Sequence, residues 1–141
     1  MSPKQHFGKR WEQRLVNELA HRGISANHAS DDNWLSEFDI EAEGLLVHCK
    51  AARKRRHKNR TNGIWRNRYQ FNFSMVTGGD FIIAICVVIG QPVFFIIPVW
   101  AVLQSGKRGL YVTSHPLEYA GWAAPYRNAW NLLEAQHGEM L

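Results

Sequence analysis

Asp39, His48 and Lys50 are the residues from which a chemistry can be argued. They lie in the stretch Phe38-Asp39-Ile40-Glu41-Ala42-Glu43-Gly44-Leu45-Leu46-Val47-His48-Cys49-Lys50, where polar and apolar residues alternate on both sides of Glu43-Gly44. Such alternation is the pattern of strands with one buried face. With Glu43 and Gly44 as the turn, Ala42 faces Leu45, Glu41 faces Leu46, Ile40 faces Val47 and Asp39 faces His48. Asp39, Glu41, His48 and Lys50 then share one face, and Phe38, Ile40, Val47 and Cys49 the other. The second set is wholly apolar, which argues against a one-residue slip. Glu-Gly is a weaker turn signal than Asn-Gly, and a longer turn would change the pairing while keeping His48 and Lys50 together.

A carboxylate with a second ligand can hold Mg²⁺ or Mn²⁺, which polarises a phosphoryl oxygen and lowers the pKa of a bound water. A lysine beside it can stabilise the charge that builds in the transition state or help to orient the water. The plain alternative is a solvated strand face carrying an ordinary Asp and Lys.

The charge distribution favours a polyanionic partner. From Lys50 to Arg68 the chain carries nine basic residues: Lys50, Arg53, Lys54, Arg55, Arg56, Lys58, Arg60, Arg66 and Arg68. No acidic residue falls between Glu43 and Asp80. The rest of the chain has eight basic and twelve acidic residues, so the whole excess of +5 arises in this one segment. Asn59, Thr61, Asn62 and Asn67 are interleaved with it, and Trp65 and Tyr69 close it. Cations contact phosphates, amides add hydrogen bonds and rings stack on bases, so DNA is the expected partner, RNA less so. The competing reading is a mobile, solvated charge run.

Around these residues the elements are sparse but readable. Phe7, Trp11, Leu15 and Leu19, widened by Val16 and Ala20, give a helix over 7–22 that ends at Gly23. Ile24-Ser25-Ala26 reads as extended, and Asp31-Asp32-Asn33 as a turn or loop. The basic stretch 53–68 reads as a surface loop or helix end, and Tyr69–Phe73 as a strand. Residues 81–89 and 93–97 read as paired strands around Gly90-Gln91-Pro92, 106–109 as a turn and 110–112 as a short edge strand. Tyr126, Ala129, Trp130 and Leu133 mark a last helix packed on the sheet. The 23 uncharged residues from Phe81 to Leu103 are long enough for a membrane span, but the Gly-Gln-Pro break and Pro98 favour a buried hairpin and no membrane. The sum is one α/β domain over 1–141, a mainly antiparallel mixed sheet flanked by helices.

Composition is globular, with 45% hydrophobic and 21% charged residues. Cys49 and Cys86 sit in apolar strand contexts and read as buried thiols. The first residues lack the apolar core of a signal peptide, so a cytoplasmic location is expected. The histidines show no zinc spacing, and Asp80 before an apolar strand reads as a turn residue.

Taken as a set, these segments resemble the PD-(D/E)xK nuclease superfamily, to which restriction endonucleases and archaeal Holliday-junction resolvases belong. Phe38-Asp39-Ile40 matches its first carboxylate, and Val47-His48-Cys49-Lys50-Ala51-Ala52 its acidic-x-lysine element. Glu12, in Gly8-Lys9-Arg10-Trp11-Glu12, matches its helical glutamate. The strands starting near Tyr69, Gly79 and Phe94 look like those of resolvase-like members, so the likeness covers roughly 7–100 and the last helix. It implies a restriction endonuclease-like fold and a divalent-metal-dependent endodeoxyribonuclease. Asp39 would be the main ligand of Mg²⁺ or Mn²⁺, Glu12 and His48 would complete or orient its shell, and Lys50 would stabilise the transition state. Arg53, Lys54, Arg55, Arg56, Lys58, Arg60, Arg66 and Arg68 would grip the backbone, with a homodimer cutting both strands.

His48 departs from the family pattern, which has Glu, Asp or sometimes Gln there. Three readings stay open. His48 is an unusual ligand that shifts preference towards Mn²⁺; Glu41 or Glu37 takes its place; or the site has decayed and a catalytically inactive DNA- or RNA-binding protein remains.

Overall fold

The computed structural model describes residues 2–28, 39–106, 108–112, 116–117 and 120–134. Phe38, Glu37 and the Asp31-Asp32-Asn33 cluster lie outside them. The first helix, α1 (Pro3–His21), begins earlier than its apolar stripe requires, because its start is capped. Ser2 Oγ accepts from the Gln5 amide at 3.2 Å and Gln5 Oε1 accepts from the Ser2 amide at 2.9 Å, a reciprocal capping box. Gly23, at φ +80°, ends it: the Gly23 amide bonds back to Ala20 and the Ile24 amide to Leu19.

Strands β1 (Ala26–His28), β2 (Ile40–Ala42) and β3 (Leu45–Arg53) follow, then the ribbon β4 (Arg55–Lys58) and β5 (Trp65–Asn72). The chain continues through β6 (Phe81–Val88), β7 (Gln91–Pro98), α2 (Val99–Ser105) and β8 (Gly109–Val112). A 3₁₀ turn spans Gly121–Tyr126, and residues 130–134 are helical. The main sheet has the order β1-β2-β3-β6-β7, antiparallel except for the β3–β6 pair, and the ribbon forms a second sheet ordered β4-β5-β8. The β2–β3 register is the expected one, Ile40 opposite Val47 and Ala42 opposite Leu45. Glu43 and Gly44 both take positive φ, +48° and +92°, as a two-residue hairpin turn requires. Glu43 Oε1 also accepts from the Ser25 amide at 2.9 Å, which ties the turn to the chain leaving α1.

The main sheet lies between two cores. On one face Val47, Ile83, Ile85 and Ile96 meet Trp11, Leu15 and Leu19 of α1, with Trp130 and Leu133 beside them. On the other, Ile82, Ala84, Phe95 and Ile97 meet Tyr69 and Phe71 of β5, Leu110 and Val112 of β8, and Val99 and Val102 of α2. The segment read against a membrane span is thus β6, β7 and α2, and no described helix is long and apolar enough to cross a bilayer.

Three local expectations are corrected. The basic stretch is neither loop nor helix end but the β4–β5 ribbon, anchored because β5 runs on into the second core. Its bend is held by Asn59, whose side chain accepts from the amides of Thr61 and Asn62. The β6–β7 turn is Ile89-Gly90 rather than Gly90-Gln91-Pro92, so Pro92 lies within the edge strand β7, where a missing donor is tolerated. Tyr126 belongs to the 3₁₀ turn rather than the last helix, because Pro125 and the bridge between Arg127 and Phe95 separate the two.

The close approach of β8 to β5 depends on Gly109, where a Cβ would lie 2.6 Å from the Phe71 carbonyl oxygen. Gly109→Ala should therefore destabilise the fold by about 1–3 kcal/mol, read as a lower midpoint of urea unfolding.

Candidate active site and nucleic-acid interface

The site forms where β2 parts from β3. Beyond Ile40 the chain bends: the Asp39 amide still donates to the Val47 carbonyl at 3.1 Å, and the Asp39 carboxylate takes over from the backbone. Its Oδ2 accepts from the Cys49 amide at 2.8 Å. On the other edge of β3, where β6 begins, Asp80 Oδ2 accepts from the Leu46 amide at 2.8 Å. Asp80 thus pins a strand start, in keeping with its reading as a turn residue.

Glu12 reaches towards this point from α1. Its side chain is only 15% exposed, and burial first, then the negative charge of Asp39, raise its carboxyl above the ordinary value of 4.5. Lys9 and His28 oppose that shift. Glu12 Oε2 is buried without a hydrogen-bond partner; His28 Nδ1 approaches it at 3.5 Å, long for a hydrogen bond. His28 also contacts Gln13 Oε1 through Nε2 at 3.0 Å. Burial, with Asp39 and Glu12, pushes the Cys49 thiol well above its usual range, and Lys50 pulls the other way. Cys49 is therefore a neutral thiol beside two carboxylates, and both cysteines are unbridged.

His48 goes elsewhere. By strand alternation it lies on the face opposite Cys49, it is 7% exposed, and its Nε2 sits 2.8 Å from the Gly78 carbonyl oxygen. A carbonyl accepts only, so Nε2 carries the proton and metal ligation by His48 would run through Nδ1. Glu41 is exposed on β2, and Glu37 lies outside the described residues. Among the described residues no three His, Cys, Asp or Glu side chains are grouped to hold an ion. The geometry brings Glu12 and Asp39 into electrostatic contact and leaves His48 bonded to the loop before β6. Two carboxylates, one with an oxygen that His28 approaches only to 3.5 Å, would fit Mg²⁺ or Mn²⁺, since Mg²⁺ is bound through one or two carboxylates and keeps several waters. Sequence reasoning missed His28, which no spacing marks, and the Gly78 carbonyl, a backbone group without a side-chain signature.

Along β3, Lys50 precedes Arg53 by about 10 Å at ~3.3 Å per residue, and there the charged surface begins. Register places Arg55 directly opposite Arg68 and His57 opposite Arg66, all on the outer face of the ribbon with Gln70 and Asn72. Like charges set opposite each other destabilise a sheet, so the face is built for something other than stability. Burial first, then Arg68 and Arg55, push the His57 pKa below its ordinary 6.5. Arg68 stacks over Tyr111 at 4.4 Å, and its Nε is buried without a partner. Arg56 and Lys58 lie on the opposite face over Trp65, at 4.9 and 6.0 Å from the ring centre. Lys54 is the residue between β3 and β4, and Arg60 sits in the ribbon's bend. A groove of about 280 Å³ runs from Lys4 and Phe7 past Arg53 to Arg55, His57 and Gln70.

Two pH dependences follow. The folded form keeps the Glu12 proton to higher pH than the unfolded chain, so stability falls as pH rises above 4.5 until the folded-state value is passed. Glu12→Gln should be more stable than wild type at neutral pH, the difference in urea midpoint vanishing as pH falls below 4.5. For His57 the sign reverses on binding. Phosphates laid on the ribbon would raise its depressed pKa, so DNA affinity should strengthen as pH falls through 6.5, and His57→Ala should flatten that slope in an anisotropy titration.

No protein-family model matches the chain, and no curated protein matches it. Among solved structures it is similar to that of a bacterial homing endonuclease, I-Ssp6803I, at 19% identity and a TM-score of 0.65. The match covers 99% of this chain and 97% of that one. The chain therefore has an endonuclease fold over nearly its whole length.

Proposed function

We propose that this protein is a divalent-metal-dependent endodeoxyribonuclease of the PD-(D/E)xK type. The observation that carries the reading is the pairing of Glu12 and Asp39 at the β2–β3 divergence, one strand position from Lys50 and at the head of the basic ribbon. The likeness in fold to a homing endonuclease supports it. Asp39 and Glu12 would hold Mg²⁺ or Mn²⁺, which when bound supplies Lewis acidity at the scissile phosphate and a more acidic water. Asp39 has a second task, since its Oδ2 fixes the Cys49 amide and with it the direction of Lys50. Lys50 would place its ammonium where charge builds on the phosphoryl oxygens. Arg55, Arg66 and Arg68 would hold the backbone, their affinity falling steeply with salt. Two copies related by symmetry would suit cleavage of both strands.

The bond from His48 to Gly78 favours a second reading, a DNA-binding protein without catalysis, because the imidazole brings no negative charge and is already engaged.

Nicking of supercoiled plasmid separates the two. Wild type should nick with Mn²⁺, and more slowly with Mg²⁺. Asp39→Asn keeps an oxygen for the Cys49 amide but loses the charge, so it should stay folded, bind DNA and fail to nick. Lys50→Ala should nick about 10²–10³-fold more slowly. Full DNA binding with no nicking in either metal would decide for the second reading.

A further inference from the structure

A second basic surface lies outside the ribbon. A cavity of about 610 Å³ opens between α1, the β3–β4 junction and the β6–β7 turn. Arg10 and Arg14 line it from the helix and Arg53 and Lys54 from the junction, and among the described residues no acidic one takes part. The aromatic floor is already layered: the Arg53 guanidinium lies 4.2 Å over the Phe7 ring and that of Arg14 lies 5.0 Å over Trp11. Guanidinium planes backed by aromatic rings are surfaces on which a base stacks, while the same charges take its phosphates. The volume is that of a site for one small ligand rather than of a flat protein contact.

The far wall carries an independent sign. Ile89, at the tip of the β6–β7 turn, lines this cavity, is 97% exposed and sits at φ +49°. A β-branched residue in the left-handed region is strained, and one so exposed gives the core nothing in return. Asn or Gly would make the same turn more cheaply. An apolar side chain held out beside a cationic cavity is placed to wedge between bases.

We infer that this cavity takes an unpaired nucleotide of a DNA strand, its base against the Arg53–Phe7 and Arg14–Trp11 layers, its phosphates on Arg10 and Lys54, and Ile89 filling the gap it leaves. The inference rests on the DNA-binding reading but not on catalysis.

The test is fluorescence anisotropy of the full chain in chelating buffer, which silences cleavage, with a paired duplex and the same duplex carrying one unpaired thymidine. Wild type should prefer the second by about tenfold, the scale of one stacked base. Arg10→Ala/Arg14→Ala should bind both with equal affinity. Ile89→Asn should lose the preference while unfolding at a higher urea concentration, a combination that a purely structural role for Ile89 would not give. Arg66→Ala/Arg68→Ala should weaken both DNAs alike and keep the ratio. Absence of any preference in the wild type overturns the inference and leaves the ribbon's role intact; absence of all DNA binding overturns both. A preference that survives the Arg10/Arg14 and Ile89 variants, or self-association that Ile89→Asn abolishes, also overturns it and marks the cavity as a contact between copies.

Discussion

The hydrogen bond from the Cys49 amide to Asp39 Oδ2 is the interaction on which the candidate site depends. A strand that leaves its neighbour orphans a row of amides and carbonyls, and buried orphans are costly. β3 has this problem on both edges, since β2 pairs only with its first residues and β6 begins beside Val47. Each edge is closed by an aspartate whose carboxylate stands in for missing backbone, Asp39 at Cys49 and Asp80 at Leu46. The two solutions differ in their surroundings. Asp80 also holds Val99 through its carbonyl and is locked into the sheet, whereas Asp39 faces the Glu12 carboxylate across a half-buried gap. The same device is a structural pin in one place and, in the other, sets a carboxylate close to a second one.

The energetics of that gap run against the fold. Glu12 is mostly buried on α1, its Oε2 reached by His28 only at 3.5 Å, and it stands close to a second negative charge. A helix that needed only to pack would place Leu or Gln there. The outer face of the ribbon shows the same sign, with Arg55 set opposite Arg68 and the His57 pKa lowered between them. Negative charge is concentrated at the strand divergence and positive charge along the arm that leads away from it. On the proposed reading a metal ion would relieve the first and a phosphate backbone the second, so one ligand complex would answer both.

The β2–β3 hairpin was legible in the sequence down to its register, because alternation, a wholly apolar face and Glu43-Gly44 all agree on one pairing. The apolar strands β6 and β7 were legible for the same reason. The ribbon was legible only at its end, Tyr69–Phe73, although Trp65 shares the strand face of Tyr69 and Phe71. Its first half is cationic at nearly every position, and a charge run without apolar alternation gives no period to read; its order comes from the Asn59 bend and from β5's far end in the second core. The site was half legible. Glu12, Asp39 and Lys50 stand out by type and context, but local spacing cannot say that the Asp39 carboxylate turns to an amide, or that His48 finds a carbonyl thirty residues away at Gly78.

That last contact bears on how an imidazole comes to stand at a position where a carboxylate is expected. His48 is buried among the apolar residues of the sheet's second face, where an ionised carboxylate would have to be desolvated. Its Nε2 lies 2.8 Å from a carbonyl oxygen, which would repel a carboxylate and welcomes an N–H donor. The Gly78 carbonyl therefore selects an N–H donor, and histidine meets that demand. A glutamate at position 48 would place its charge against the Gly78 carbonyl. The loop before β6 would then have to move before any ion could use the new ligand. The choice of residue at 48 is therefore constrained by the backbone at Gly78 before any demand of the proposed chemistry is considered.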